Sequence, residues 1–309
     1  MTWSSPLPAV LLVGSVLVAG AYAVAVLEAA QAAAAAGRGS GLRRALRQPL
    51  GEAALLAVTR ASTTERPDAQ AWALAPALLA AMAAGAVATV PLAPDVAVAD
   101  VDDGIVLFGA VMAVVMVGVY LHGWSPNSPL PLVGGYRFVA LALSYEMPLA
   151  LVLIAAALPA ESLSVGAIVE SQQGLWNVVR QPLGLPLYLV AGMGLAFWGP
   201  LNVADARDLS GGTGVEVSGP PRLAWQVARR FVLVAVAVMG AAVFLGGWQG
   251  PLLPGAAWMA LKTIALLAGL TWLGRRMARV RLERFVVVAW AVLIPLALVD
   301  VFVSGALAL

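Results

Sequence analysis

The sequence predicts an all-α polytopic membrane protein, and three observations predict it. Hydrophobic residues make up 61% of the 309 and charged residues 11%, against roughly 45–50% and 25% in an ordinary soluble domain. That is too little charge to coat a globule. Apolar runs of about 20 residues, the length of a spanning helix, recur along the whole chain. Basic residues fall in alternate loops between those runs. The composition excludes a disordered chain, a disulfide scaffold and a conventional soluble enzyme. There is no cysteine and one histidine, His122. This leaves no thiolate zinc site, iron–sulfur cluster, cysteine nucleophile or multi-histidine centre. With net charge only +2, the arginines read as membrane topology rather than nucleic-acid binding. Residues 1–309 read as a single integral-membrane domain without internal repeats.

About eight spans are expected. The first, 7–36, lacks a basic leader and reads as a spanning helix rather than a cleaved signal peptide. The loop after it holds Arg38, Arg43, Arg44, Arg47, Arg60 and Arg66. Within that loop Leu42–Val58 carries arginines and Glu52 among alanines and leucines. It is either an amphipathic helix at the interface or a helix packed on the bundle. The second span, 69–92, is followed by Asp95, Asp100, Asp102 and Asp103 with no basic residue. After the third, 104–121, the stretch His122 to Gly135 has Pro126, Pro129, Pro131 and paired glycines, and reads as non-helical. Arg137 follows it. The fourth span, 138–159, precedes Glu161, Glu170 and Arg180.

The fifth span, 183–201, is the weakest, because Pro182, Pro186 and Pro200 bracket it. Its loop holds Arg207, Arg222, Arg229 and Arg230, and the run Ser210-Gly211-Gly212-Thr213-Gly214. That run lacks the lysine and preceding strand of a phosphate loop and reads as a flexible connection. An uncharged loop joins spans six and seven, 231–248 and 256–273. Arg275, Arg276, Arg279, Arg281 and Arg284 precede the eighth, 285–309. Odd-numbered loops thus hold sixteen of the eighteen basic residues. By the positive-inside rule they are cytoplasmic and both termini face the outer, periplasmic side. Trp124, Trp176 and Trp248 near span ends fit an aromatic belt.

Ionisable groups are costly in a bilayer, so each one inside a span is a candidate for function. Glu28 lies late in span one, Arg137 opens span four, Glu146 lies within it, Lys262 in span seven and Asp300 in span eight. Arg137 and Glu146 are nine residues apart, about 2.5 helical turns, and point to opposite sides of one helix. Each therefore needs a partner elsewhere. A buried carboxylate with a tunable cation nearby suits uptake and release of a proton. A fixed ion pair or a hydrogen-bonded bundle contact is the alternative for each. For Asp300, near the outer end, the structural contact is the expected role. Ser144 and Tyr145 either join Glu146 in a polar cluster or satisfy polar groups locally.

The ordered motifs resemble those of the H-subunit family of respiratory complex I, which also includes membrane subunits of hydrogenases and formate hydrogenlyases. The segments are Gln48-Pro49-Leu50; Asp68 with Leu74-Ala75-Pro76; Gly123-Trp124-Ser125-Pro126-Asn127-Ser128; then Gly134, Arg137 and Ser144-Tyr145-Glu146. They continue with Ser162-Leu163, Ile168-Val169-Glu170 and Gln172, then Gly246-Gly247-Trp248 and Gly250-Pro251-Leu252-Leu253-Pro254-Gly255. Lys262-Thr263, Trp272, Arg275, Arg281, Trp290 and Ile294-Pro295-Leu296 complete the series. The resemblance implies eight core helices with both ends outside, in the plasma membrane of a bacterium. It implies a membrane subunit of an NADH:quinone oxidoreductase, linking the quinone-binding redox arm to a proton-translocating membrane arm, with no catalytic residue or metal of its own. Ubiquinone or menaquinone would sit at the subunit interface. FMN and iron–sulfur clusters would sit in partner subunits. Glu146 would be a carboxylate of a proton pathway with Arg137 beside it, and Glu28 and Lys262 would be further buried charges. Arg47, Gln48, Asp205, Arg207, Asp208 and Glu216 would lie at the quinone chamber or docking loops.

The sequence also departs from the pattern. The family's buried glutamates of helices five and six have no counterpart, and Phe197-Trp198-Gly199-Pro200-Leu201-Asn202 and Arg229-Arg230-Phe231 stand there. The acidic stretch before Glu216-Val217-Ser218-Gly219 is shortened and glycine-rich, and the stretch after helix one is reduced to Gly37-Arg38-Gly39-Ser40-Gly41. Two other readings therefore stay open: the matching subunit of a membrane-bound hydrogenase-type complex, and a stand-alone ion-coupled transporter.

Overall fold

The computed structural model describes residues 6–37, 41–94, 96–99, 101–205 and 211–308. Among the described residues there is no β-strand. Seven helices are long and apolar enough to cross a membrane: Leu7–Ala35, Ala69–Ala88, Gly104–Trp124, Pro129–Ala160, Gly219–Phe244, Gly255–Arg276 and Leu282–Ala306. In chain order the helices are α1 (Pro6–Ala35), α2 (Leu42–Val58), α3 (Ala69–Ala88), α4 (Gly104–Ala113), α5 (Val115–Trp124), α6 (Pro129–Ala157) and α7 (Val165–Glu170). Then follow α8 (Asn177–Arg180), α9 (Gly184–Leu195), α10 (Gly219–Phe244), α11 (Gly255–Arg276), α12 (Leu282–Val288) and α13 (Ile294–Ala308). The third span is thus two consecutive helices, broken at Val114, and the last is interrupted by a π turn over Ala289–Leu293. Pro295 explains that turn: it has no N–H to give and its ring crowds the carbonyl of Ala291.

The middle of the bundle is α10. Every residue from 232 to 244 is buried, as expected of a helix that is apolar on all sides. It packs on α1, α2, α3, α9 and α11. Close approach uses small residues, as in membrane bundles: a Cβ on Gly20 of α1 would stand 2.7 Å from the Val234 side chain, and one on Gly192 of α9 2.5 Å from Val236. α2 has the bounds expected from sequence and packs on the bundle. Ala45, Pro49, Ala53 and Leu56 form its least exposed stripe, while Leu50, Leu55 and Val58 remain exposed. It lies on α1 and α10 along one narrow face, and Tyr22 Oη donates to the Leu46 carbonyl.

Loops one, three, five and seven meet at one end of the bundle. Asp68 N–H donates to Ser125 O, Ser62 Oγ bonds Ser218 Oγ, and Val280 N–H donates to Pro200 O. The start of α1 lies at the other end, where Leu12 and Val16 share an apolar groove with Leu92 and Ala256. The end of α13 lies there too, with Gly305 beside Leu158.

The structure changes three sequence expectations. The fifth span is not one long helix: α9 has twelve residues and rises about 18 Å, short of the roughly 30 Å of a bilayer core. Trp198 N–H bonds Met193 O and closes the helix. Phe197 and Gly199 then take positive φ of 39° and 55°, and a 3₁₀ turn over Gly199–Leu201 follows. Gly184 lies beside Phe244 and Asp300, whereas Gly199 lies against Gly274. The segment therefore runs from one end toward the other, finishing as irregular backbone that is largely buried and borders a cavity, the settings in which such backbone is tolerated at membrane depth.

The stretch from His122 to Gly135 is largely helical, correcting the proline-based reading. α5 runs on to Trp124 and α6 restarts at Pro129. Pro129 and Pro131 occupy its first turn, where an N–H has no helical partner to lose. Gly134 is there for space, since a Cβ would stand 2.5 Å from Thr213 N. The glycine run is likewise no free loop: residues 211–214 are buried, and Gly211, at φ 85°, presses on the Leu130 backbone.

Candidate functional site

The polar groups gather at the end where the odd loops meet. Three carboxylates and a set of arginines from distant parts of the chain converge there on two cavities. One cavity, of about 360 Å³, is lined by Glu28, Trp198, Asn202, Asp205, Gln226, Arg229, Arg230 and Arg279. The other, of about 240 Å³, lies between α1, α2 and α10, with Gln48, Glu52, Arg275 and Leu56 in its wall. Glu28, Gln226 and Arg230 line both.

Helix geometry places these groups. Gln226, Arg229 and Arg230 are three and four residues apart on α10 and share one face. Arg230 Nη2 bonds Glu28 Oε2 at 3.2 Å, and Arg275 Nη2 donates to the Glu28 carbonyl at 2.6 Å. The Glu28–Arg230 side chains are 33% and 20% exposed, so the pair contributes about 1 kcal/mol at most. Gln48 Nε2 donates to Glu52 Oε1 one turn on along α2, and Arg47 is exposed.

Arg229 is held more completely. Nη1 bonds Asp205 Oδ2 at 3.1 Å, Nη2 donates to the Phe197 carbonyl and Nε to the Ala196 carbonyl. Its guanidinium lies 4.8 Å from the Phe197 ring and 4.7 Å from the Trp198 ring. The two carbonyls belong to the end of α9 that no intrahelical donor reaches, so Arg229 closes the broken helix. Asp205 also accepts from Trp225 Nε1 and Thr213 Oγ1. Burial pushes its carboxyl above the usual carboxylate range, against the pull of Arg229, Trp225 and Thr213. His122, buried in the last turn of α5, stacks on Trp225 with ring centroids 3.6 Å apart.

The residues expected from sequence are thus divided. Glu28, Gln48 and Asp205 come together around the cavities. Glu216 stands aside, accepting from Ser128 Oγ while its carbonyl takes Ser62 Oγ. Arg207 and Asp208 lie outside the described residues. Arg137 is not beside Glu146; its guanidinium donates to the Gly211 carbonyl and pins the glycine run to α6. Glu146 is half-buried, and its Oε1 has no hydrogen-bond partner among the described residues. Ser144 bonds back to Ala140 O and forms no cluster with it.

Lys262 lies at the opposite end. Its Nζ donates to the carbonyls of Gly247 and Gln249 at 2.9 and 2.6 Å, and sits 4.3 Å from the Trp176 ring. Asp300 is buried against the start of α9, and its Oδ2 has no partner among the described residues. Arg229, Arg230 and Asn202 enter the sequence reading as loop charges or departures from the family pattern and not as site residues, and Gln226 does not enter it. The arginines read as topology, although the three-and-four spacing of Gln226, Arg229 and Arg230 is a helical-face signal.

A family model described as NADH dehydrogenase matches residues 7–305. The chain is 33% identical over 240 residues to the second NADH-quinone oxidoreductase H subunit of Cereibacter sphaeroides, covering 77% of this chain and 76% of that protein. It is 32% identical over 269 residues to the NADH-quinone oxidoreductase H subunit of Syntrophotalea carbinolica, covering 84% and 82%. It is 32% identical over 239 residues to the first NADH-quinone oxidoreductase H subunit of Rhodopseudomonas palustris, covering 77% and 75%.

Proposed function

The chain belongs to the NADH dehydrogenase family, and from that premise we propose how it works as the membrane subunit of a complex I-like NADH:quinone oxidoreductase. It is a non-catalytic subunit of that enzyme. The match over residues 7–305 carries this reading. In it, the chain links the quinone-binding redox arm to the proton-translocating membrane arm, and other membrane and peripheral subunits of the assembly cover it. The membrane is the plasma membrane of a bacterium. The chain crosses it eight times, the segment from α9 to the 3₁₀ turn making the fifth crossing, with both termini outside. Support comes from the position of the arginine-rich loops at one end and of the start of α1 and the end of α13 at the other.

The smaller cavity fits part of a quinone. Its wall is apolar along Ala25, Ala29, Ala32, Ala53 and Leu56, and polar at Glu28, Gln48, Glu52, Gln226, Arg230 and Arg275. Gln48, Gln226, Arg230 and Arg275, two of them already paired with Glu52 and Glu28, would hold the oxygens of ubiquinone or menaquinone, and a partner subunit would complete the chamber. The bound quinone supplies two-electron, two-proton acceptance. With no cysteine in the chain, iron–sulfur clusters belong to partner subunits, as does FMN. Arg47 on α2, and Asp205 and Glu216 ahead of α10, belong to segments that would face those partners.

Glu146 is the carboxylate that carries the proton signal within this subunit. Its half-buried place on α6 and its unpartnered oxygen support that role. The experiment is Glu146→Gln in the assembled complex, reading NADH-driven proton uptake into vesicles beside NADH:quinone electron transfer. The expected result is assembled complex with strongly reduced translocation. Full translocation would remove Glu146 from the pathway.

A further inference from the structure

α2 presents two different flanks on either side of its packed stripe. Gln48 and Glu52, on one flank, line the smaller cavity. On the other flank, about 100° round the helix from the packed stripe, Leu46, Leu50, Ala54 and Ala57 are all exposed. Leu50 is 58% exposed and Leu46 39%, so nothing in this chain covers them. Arg43 and Arg47, one turn apart, run along the outer edge of that apolar flank, and both are exposed. Among the described residues neither arginine makes an ion pair.

α1 sets the level of this flank. The Leu46 carbonyl accepts from Tyr22 Oη, and the exposed apolar side of α1 begins at Leu7. From Leu7 to Tyr22 is about 22 Å along the helix, and less along the membrane normal where α1 tilts. The hydrocarbon layer is about 30 Å thick. The first turns of α2 therefore lie at the depth where acyl chains give way to headgroups, on the side of the odd-numbered loops. Arginines at that depth reach out to phosphates, while leucines beside them stay among the chains. A neighbouring membrane helix packed on this flank would leave both guanidinium groups without an anion.

We propose that this flank of α2 is a binding site for anionic phospholipid, with Arg43 and Arg47 on the headgroup phosphate and Leu46 and Leu50 against the acyl chains. The Gln48–Glu52 flank is left to the cavity and the partner subunits. Each arginine near the surface favours an anionic lipid about fivefold. The pair therefore favours it about thirtyfold at low salt, and less as salt screens the charges.

The experiment uses the assembled complex in nanodiscs of phosphatidylcholine. These carry a small, equal fraction of photoactivatable phosphatidylglycerol or photoactivatable phosphatidylcholine, each with a diazirine close to the glycerol. Mass spectrometry of peptides measures the label on α2. In the wild type at low salt, phosphatidylglycerol labels α2 about thirtyfold more than phosphatidylcholine does, and the excess shrinks at high salt. In the Arg43→Gln, Arg47→Gln double variant the two lipids label α2 about equally. Label at the exposed start of α1, Leu7 to Leu11, is the same in variant and wild type and reports an intact particle. Equal labelling by the two lipids in the wild type overturns the site, and this arm needs no variant to fold. So does a wild-type α2 that takes no lipid label and cross-links to a partner subunit instead, which makes the flank a protein contact. An excess that persists in the double variant removes the arginines from recognition and overturns it too.

Discussion

Lys262→Met separates a structural cation from one in a proton pathway. Lys262 is buried and donates to the Gly247 and Gln249 carbonyls at 2.9 and 2.6 Å. It lies over Trp176 at 4.3 Å and Trp258 at 5.7 Å. Hydrogen bonds to a charged group contribute about 1.5–3 kcal/mol each, and the cation–π contacts add roughly 0.5–2 kcal/mol. Against these stands the cost of burying an ammonium, several kcal/mol, which methionine avoids while filling similar space. Gly247 is buried and Gln249 half-buried, so the two carbonyls that lose their donor stay largely out of water. The net is a destabilisation of about 2–3 kcal/mol, or a fall of about 3–5 °C in the thermal midpoint of a chain this size. The assay is thermal unfolding of the purified complex beside protons moved per electron. The expected result is a lower midpoint with an unchanged proton ratio. An unchanged midpoint with a lost proton ratio would refute the structural role and place Lys262 in the pathway.

Other outcomes follow from single features. Gly199→Ala forces a side chain onto a left-handed φ of 55° with Cβ 2.6 Å from Gly274 Cα, which costs about 2–4 kcal/mol. Gly37→Ala, at φ 65° with no atom within 4 Å of its Cβ, costs about 1 kcal/mol, and thermal unfolding of the pair tests the difference. Burial raises the Asp205 carboxyl above its usual range, so the folded chain holds more protons than the unfolded one at mildly acidic pH. That contribution is full below the ordinary carboxylate value and declines as pH rises through the raised one. Asp205→Asn keeps an acceptor for Trp225 and removes this slope, so its midpoint relative to wild type improves as pH rises from the ordinary carboxylate range; a worsening trend would contradict the assignment. Glu28→Gln, at a partly exposed pair, changes stability by no more than about 1 kcal/mol in the same assay.

Much of the fold was legible because the signals were local. Leu42–Val58 came out with its own bounds, since its arginine-and-leucine spacing is a property of one helix. The alternation of arginines placed the odd loops at one end, where Asp68 meets Ser125 and Ser62 meets Ser218. The fifth span was hard to read because what permits it is tertiary: Arg229, some thirty residues on, supplies donors to the last carbonyls of α9. The prolines after His122 misled because Pro129 and Pro131 sit in a first helical turn rather than in a break. Within the site, the nine-residue spacing of Arg137 and Glu146 correctly separated them. Arg229 was hidden because a basic residue near a span end already had an explanation in topology, and its partner Asp205 lies in an irregular stretch with no periodicity to read.

The most direct test of the central claim is purification of the chain through a tag in mild detergent, with mass spectrometry of what accompanies it and an NADH:quinone assay of the particle. Membership of a complex I-like assembly predicts membrane subunits together with peripheral subunits carrying flavin and iron–sulfur clusters, in one particle that reduces quinone with NADH. Recovery of the chain alone, intact and monodisperse, from membranes that retain that activity elsewhere would contradict it.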